Sequence, residues 1–167
     1  SPDNEQVKTL LAEGNESLFI WGPAGCGRSH LLQACCQELD SAIYLPLAEM
    51  RRLAPELLEG VESLALVCID DLQVVLGQLD WERALFALFN AIREQGSRLL
   101  VMADAAPLQL DFALPDLRSR MQSLVVMQLQ PLHDADKKQV LRLRAAKRGL
   151  DLDEAVAEFL LRRVGRD

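Results

Sequence analysis

The residues best suited to chemistry form a glycine-rich loop between an apolar stretch and a helical pattern. Residues 22–29 read Gly-Pro-Ala-Gly-Cys-Gly-Arg-Ser. This spacing fits the phosphate-binding pattern GxxxxGK[ST] at every defined position except one, where Arg28 replaces Lys. Small residues let the backbone N–H groups approach phosphate oxygens, and the following helix directs its positive dipole end at the same anion. The loop therefore predicts a phosphate site; the alternative is a glycine-rich turn without a ligand.

Individual roles follow from the chemistry of the loop side chains. Ser29 would supply a hydroxyl ligand to Mg²⁺, and Arg28 a permanent positive charge near the outer phosphates. Cys26 is either an oxidisable thiol or, as we favour, a tolerated small residue. The predicted ligand-contacting set comprises Gly22, Pro23, Ala24, Gly25, Cys26, Gly27, Arg28, Ser29 and His30, which begins the helix.

Acidic residues follow two further apolar runs. Asp70 and Asp71 end the run 64–69, with Asp70 41 residues after Ser29. The first acid of such a pair reaches Mg²⁺, and the second orients or deprotonates an attacking water. The alternative is a solvated strand end or a helix cap. Asp104 ends another run, and it is either a site residue, as we favour, or the start of a turn. Ligands in parallel sheets lie beyond the carboxyl ends of strands, so we expect Asp70 and Asp104 to converge with Gly22.

The elements that must position these residues alternate along the chain. Predicted strands cover 18–21, 42–45, 64–69, 98–103 and 124–128. The helix after Ser29 should place Leu31, Leu32, Cys35 and Leu39 on one face, and the helix after Asp80 should bury Trp81, Leu85, Leu88, Phe89 and Ile92. Strands interleaved with helices predict an α/β fold with a five-stranded parallel sheet covered on both faces.

The pattern changes after Pro131. Two helices are predicted over 133–148 and 153–164, with Asp153 as N-cap and with a buried stripe of Val156, Phe159 and Leu160. We therefore expect an α/β core over 1–131 and the start of a truncated helical subdomain over 132–167.

Composition restricts the classes of function. The 167 residues contain 18 Lys+Arg against 25 Asp+Glu. Residues 1–136 hold 9 basic and 20 acidic side chains, a net −11, whereas 137–167 hold 9 and 5, a net +4. The acidic body opposes direct sequence-specific DNA binding. The longest apolar run has six residues, far from the roughly 20 that span a membrane. No signal-peptide pattern or Cys-x-x-Cys pair occurs, so we expect a cytoplasmic protein with reduced thiols.

Taken together, these motifs resemble the AAA+ ATPases, and within them the family of the bacterial replication initiator DnaA and its Hda-type regulators. The resemblance rests on residues 22–31, 67–71, 114–120 and 129–132 and on Asp104. The Arg in Gly-Arg-Ser-His-Leu and the segment Leu-Pro-Asp-Leu at 114–117 are more similar to the Hda type.

The resemblance implies roles for single residues. Asp70 would be the metal-binding acid, Asp71 the adjoining acid and Asp104 the sensor 1 residue. Arg120 would be an arginine finger offered to a neighbour's nucleotide, with Arg118 the less favoured candidate. From charge alone, Arg120 would instead be a surface ion pair.

The implied function is regulation of chromosomal replication initiation. With the sliding clamp, such a protein promotes hydrolysis of DnaA-bound ATP and prevents re-initiation. Its cofactors would be ADP or ATP and Mg²⁺, and its own ATPase activity would be weak. DnaA would be one partner and the clamp another, bound through a segment not seen in this sequence; a homo-oligomer stays open. The alternatives are a self-sufficient P-loop ATPase and a DnaA-like initiator fragment.

Overall fold

Five parallel strands form the centre of the fold, with helices on both faces. The structure, a computed structural model, describes residues 2–131 and 133–164. The strands are β1 Leu18–Trp21, β2 Ala42–Pro46, β3 Leu66–Asp70, β4 Arg98–Ala103 and β5 Val125–Gln128. Their order in the sheet is β2-β3-β4-β1-β5, and every neighbouring pair is parallel. The predicted fold class is confirmed.

One helix precedes β1, and the others occupy the connections between strands and the C-terminal part of the chain. They are α1 Pro2–Glu13, α2 Arg28–Gln37, α3 Leu47–Met50, α4 Leu79–Gln95, α5 Pro115–Gln122, α6 Asp134–Lys147 and α7 Glu154–Val164. Short 3₁₀ turns cover Pro55–Leu58, Val61–Ser63, Leu72–Val75 and Pro107–Gln109. β3 begins two residues later than predicted, because the N–H of Leu64 still closes the preceding turn on the carbonyl of Val61.

Alternation along the strands divides the core into two layers. On β3, Val67 and Ile69 point to the layer that contains α4 and α5, whereas Leu66 and Cys68 point to the layer of α1 and α2. The predicted face of α4 is confirmed: Trp81, Leu85, Leu88, Phe89 and Ile92 are all buried. Leu39 was wrongly expected on the buried face of α2. That helix ends at Gln37, so Leu39 lies beyond it and is exposed.

The N-terminal helix α1 was not predicted. Its few apolar residues pack on the sheet, with Val7 and Leu11 buried. The guanidinium of Arg98, on β4, donates hydrogen bonds to the carbonyls of Leu10, Leu11 and Glu16 at 2.8–2.9 Å. A cation at a helix C-terminus satisfies carbonyls that have no partner within the helix. The anchor is far away in sequence, so local pattern could not reveal it.

The chain divides into two compact units, the first being Pro2–Gln130 and the second beginning at Pro131. In the second, Lys138 of α6 pairs with Glu158 of α7 at 2.6 Å. Asp153 accepts a hydrogen bond from the N–H of Val156, which confirms its capping role. The predicted buried stripe is wrong for two residues, Val156 and Phe159, which are 42% and 58% exposed. Among the α7 side chains whose burial the structure describes, the buried one is instead the small Ala157.

Within the described residues, none of the helices has both the length and the apolar composition that a membrane span requires.

Candidate functional site

The glycine-rich loop leaves the end of β1 through a position that accepts only glycine. The N–H of Gly22 donates to the carbonyl of Ala103, at the end of the neighbouring strand β4. A Cβ at Gly22 would lie 2.6 Å from the carbonyl oxygen of Leu129 and 2.9 Å from Sγ of Cys26. The first residue of the loop therefore packs closely against the edge of the sheet.

The middle of the loop turns through two glycines with positive φ. Gly25 has φ 78° and Gly27 has φ 90°, a region that favours glycine. Gly27 is the N-cap of α2, and no side chain caps that helix end. Pro23, Ala24 and Gly25 are exposed. An uncapped helix start behind an open glycine loop fits a phosphate group.

Arg28 is held inside the loop. Its Nη1 donates a hydrogen bond of 2.6 Å to the carbonyl of Gly22. Its Nη2 lies 3.6 Å from Oδ1 of Asp71, and the side chain is only 11% exposed. The guanidinium thus joins the loop to the acid pair, a contact that sequence reasoning did not predict.

Asp70 ends β3 and is 1% exposed. Its Oδ1 accepts the N–H of Asp71, and its Oδ2 accepts the hydroxyl of Tyr44 at 2.6 Å. Burial and the Asp70 carboxylate raise the pKa of Tyr44 to about 12, while hydrogen bonding with Gln33 and Ser29 acts in the opposite direction. Tyr44 is therefore protonated at neutral pH and donates to Asp70.

Asp71 adopts a strained conformation that turns the chain away from the sheet. Its φ is 54°, and among the described non-glycine residues it alone has a positive φ. Nε2 of Gln73 donates to Oδ1 of Asp71 at 3.2 Å. Oε1 of Gln73 accepts the N–H of Asp104, also at 3.2 Å. Gln73 thereby links the residues that follow β3 and β4.

The predicted convergence follows from the order of the sheet. Gly22, Asp70 and Asp104 lie at the carboxyl ends of β1, β3 and β4, which are adjacent strands. Tyr44 and Gln73 were missed. In the sequence, Tyr44 is only a polar residue in β2, and Gln73 is only a polar residue shortly after the acid pair. Neither position indicates a site residue unless the order of the strands in the sheet is known.

The other side chains of the loop differ in their exposure. Ser29 is half-buried in the first turn of α2, and His30 is exposed beside it. Cys26 is buried, and this burial raises the pKa of its thiol despite the nearby Arg28. A buried thiol with a raised pKa is a poor nucleophile, which favours its interpretation as a small core residue.

The two candidate finger arginines differ in their surroundings on α5. Nη2 of Arg118 donates to the carbonyl of Leu110, and its guanidinium lies 5.9 Å from the ring centroid of Phe112. The guanidinium of Arg120 lies 5.9 Å from the ring of Phe86. Within residues 2–131 and 133–164, Arg120 has no acidic partner and no side-chain hydrogen bond. The expected surface ion pair is therefore not seen there.

Among solved structures, the fold is that of the DnaA-like AAA+ proteins. A DNA replication initiation factor is 22% identical, with a TM-score of 0.76 over 97% of this chain and 56% of that one. AMPPCP-bound DnaA from Aquifex aeolicus is 22% identical, with a TM-score of 0.75 over 96% and 57%. Domain III of Thermotoga maritima DnaA is 24% identical, with a TM-score of 0.76 over 95% and 75%. The chain spans little more than half of the first two proteins.

Two family models match the sequence in different places. The bacterial DnaA ATPase domain matches residues 49–128, and the lid domain of Hda matches residues 134–167. With the sheet order and the DnaA-like fold, these matches are consistent with a DnaA-related AAA+ protein that is Hda-like.

Proposed function

We propose that this chain is the nucleotide-binding module of a regulator of replication initiation. With the DNA-loaded sliding clamp, it stimulates hydrolysis of the ATP bound by DnaA and so prevents re-initiation. In this proposal Arg120 is the finger that reaches the partner's nucleotide. The proposed nucleotide-binding core covers residues 1–131 and the proposed lid covers 132–167; the two compact units divide one residue earlier, at Pro131.

The single observation that carries the proposal is the state of Arg120. Its side chain is half-buried on α5, and its guanidinium lies over the ring of Phe86 without an acidic partner in the described part of the chain. A guanidinium that is held by a ring but not neutralised is suited to meet phosphate on another subunit. The match of residues 134–167 to the Hda lid supports the choice of regulator over initiator.

The chain's own nucleotide, ADP or ATP, would lie on the glycine loop. Backbone N–H groups of residues 24–29 would hold the phosphates, since Pro23 has no N–H and the N–H of Gly22 is bonded to Ala103. Arg28 would contact the phosphates in place of the Gly22 carbonyl while it stays paired with Asp71. Mg²⁺ would neutralise phosphate charge when bound. Ser29 and Asp70 are its proposed protein ligands. The described residues contain no cluster of three or more His, Cys, Asp or Glu suited to a metal. Water and phosphate oxygens would therefore supply the other ligands.

Arg28 and Asp71 favour nucleotide binding over rapid hydrolysis in this chain. Asp71 is the acid expected to orient a water molecule, and it is already paired with Arg28 and bonded by Gln73. The bound nucleotide would then stabilise the core that carries Arg120.

The test is Arg120→Ala in the full-length protein, with ATP-loaded DnaA and clamp on DNA. Stimulated hydrolysis should fall by at least about 10³-fold, because an arginine finger contributes that much in other phosphoryl-transfer systems. The regulator's own nucleotide affinity should not change. Arg83→Ala, an exposed arginine of α4, is the matched control and should behave as wild type. Unchanged stimulation by Arg120→Ala would disprove the proposed role.

A self-sufficient ATPase is the second candidate. It is favoured by the convergence of Asp70, Asp71 and Asp104 beside the loop and opposed by the pairing of Asp71 with Arg28. Single-turnover hydrolysis by the full-length protein alone, at stoichiometric ATP, separates the two candidates. Fast turnover without DnaA or clamp favours the ATPase.

The match to the DnaA ATPase domain also keeps a DnaA-like initiator as a candidate. A C-terminal helix-turn-helix domain in the full reading frame would decide for it. The net charge of −11 over residues 1–136 opposes DNA binding by this part of the chain.

A further inference from the structure

Glu82 is a buried acid that the proposed chemistry does not use. It lies in the first part of α4 and is 0% exposed. Within the described residues no salt bridge involves it, so no cation neutralises its charge by direct pairing. A buried carboxylate without a cation must be satisfied by hydrogen-bond donors.

Three backbone N–H groups supply those donors. Oε2 accepts from Gly77 at 2.8 Å and from Ala113 at 2.9 Å, and Oε1 accepts from Leu114 at 3.0 Å. Hydrogen bonds to a charged acceptor are about twice as strong as those between neutral groups. Glu82 therefore holds two chain segments against α4.

The second of these segments starts the helix that carries Arg120. Leu114 is the N-cap of α5, Pro115–Gln122, and no side chain of its own caps that helix. The Glu82 carboxylate accepts the N–H of this N-cap residue from another element, as the glutamate of a capping box does within one helix, and its negative charge suits the helix dipole. The direction of α5, and with it the position of Arg120, is thus tied to Glu82.

The other segment, which contains Gly77, follows the acid pair Asp70 and Asp71 along the chain. Gly77 follows the 3₁₀ turn Leu72–Val75, which begins directly after Asp71 and contains Gln73. One carboxylate therefore contacts both the segment leaving the nucleotide site and the segment entering α5.

We propose that Glu82 is a positioning residue for Arg120. Its carboxylate fixes the N-terminus of α5 on α4 and links that helix to the segment that leaves Asp71. This inference rests on the proposed function of Arg120, which it deepens.

The test is the variant Glu82→Gln in the full-length protein. The rate of hydrolysis of DnaA-bound ATP is measured at increasing concentrations of the variant until it reaches a plateau. Glutamine has almost the same shape, but its amide nitrogen cannot accept an N–H, and its charge is gone. We expect the plateau rate to fall by about 10- to 100-fold, since a displacement of about 1 Å can cost that much in a positioned reaction. A role in stability alone would raise the concentration needed and leave the plateau unchanged.

Val7→Ala is the matched control for stability, because Val7 is buried on the opposite face of the sheet. It should keep the wild-type plateau even where its thermal stability equals that of Glu82→Gln. A wild-type plateau for Glu82→Gln overturns the inference. If Arg120→Ala also keeps the plateau, the proposed function fails as well, so the two failures are distinguishable.

Hydrogen exchange of the wild-type protein tests the geometry without any substitution. The amides of Gly77, Ala113 and Leu114 should be protected, and rapid exchange at Ala113 and Leu114 overturns the inference even if Glu82→Gln fails to fold.

Discussion

The guanidinium of Arg28 lies 3.6 Å from the Asp71 carboxylate while it donates to the carbonyl of Gly22, so one side chain closes the phosphate loop onto the acid pair. A planar guanidinium has donors in several directions and can serve both acceptors at once. Lysine carries a single ammonium group on a flexible stem. The replacement of Lys by Arg in the motif is therefore a change in connectivity as well as in charge.

Arg28→Lys should raise the chain's own ATP hydrolysis. A lysine cannot keep the geometry that bridges Gly22 and Asp71, so Asp71 becomes available to orient water. A positioned base contributes about 10²- to 10⁴-fold, and we expect a gain of at least about tenfold. Single-turnover hydrolysis at stoichiometric ATP measures this rate.

Arg28→Ala is the companion variant, because it frees Asp71 but offers no cation to the phosphates. It should bind nucleotide more weakly than either wild type or Arg28→Lys. A rate for Arg28→Lys at or below wild type, with nucleotide fully bound, would contradict the restraining role of the pair.

Tyr44→Phe should change how stability depends on alkaline pH. Burial and the Asp70 carboxylate raise the pKa of Tyr44 from 10.0 to about 12 in the folded protein. Between these values the unfolded chain loses the proton and the folded chain keeps it, so the contribution of Tyr44 to stability falls as pH rises. Below pH 10 the contribution is fully present.

Urea unfolding of both proteins across this pH range measures the effect. The stability advantage of wild type over Tyr44→Phe, about 1.5–3 kcal/mol for a hydrogen bond to a charged group, should be largest below pH 10. It should shrink as pH rises towards about 12. Parallel curves for the two proteins would show that Tyr44 does not donate to Asp70.

Arg118→Ala should lower stability but not stimulation. The variant loses the hydrogen bond to Leu110 and the contact with Phe112, and we expect a cost of about 1 kcal/mol in the free energy of unfolding. Part of this cost is offset, because Nε of Arg118 is buried without a partner in the described part of the chain.

Urea unfolding measures the stability of Arg118→Ala, and the DnaA assay measures its plateau rate of stimulated hydrolysis. The plateau should stay at the wild-type level. A folded Arg118→Ala protein that loses stimulation as completely as Arg120→Ala would move the finger role to Arg118.

Local patterns predicted the elements better than their ends or their exposed faces. β1 and β4 have the predicted bounds, since apolar runs bounded by glycine or charge are strong strand signals. Leu39 and Phe159 were misplaced because helical spacing describes which residues share a face but not where a helix ends or what covers it. The helix α1 has a weak apolar pattern and depends on Arg98, a distant anchor that no local rule can find.

The sequence by itself determined the glycine loop, the acid pair at the end of a strand and the alternation that makes an α/β sheet. These features are local, because loop conformation and strand periodicity depend on neighbouring residues. Only the tertiary structure decided the partners of the chemical groups: Tyr44 on Asp70, Arg28 on Asp71, and Glu82 beneath the start of α5. The physical reason is that the sheet order and the packing of α4 against α5 bring together groups that are separated by 26, 43 and 32 positions along the chain.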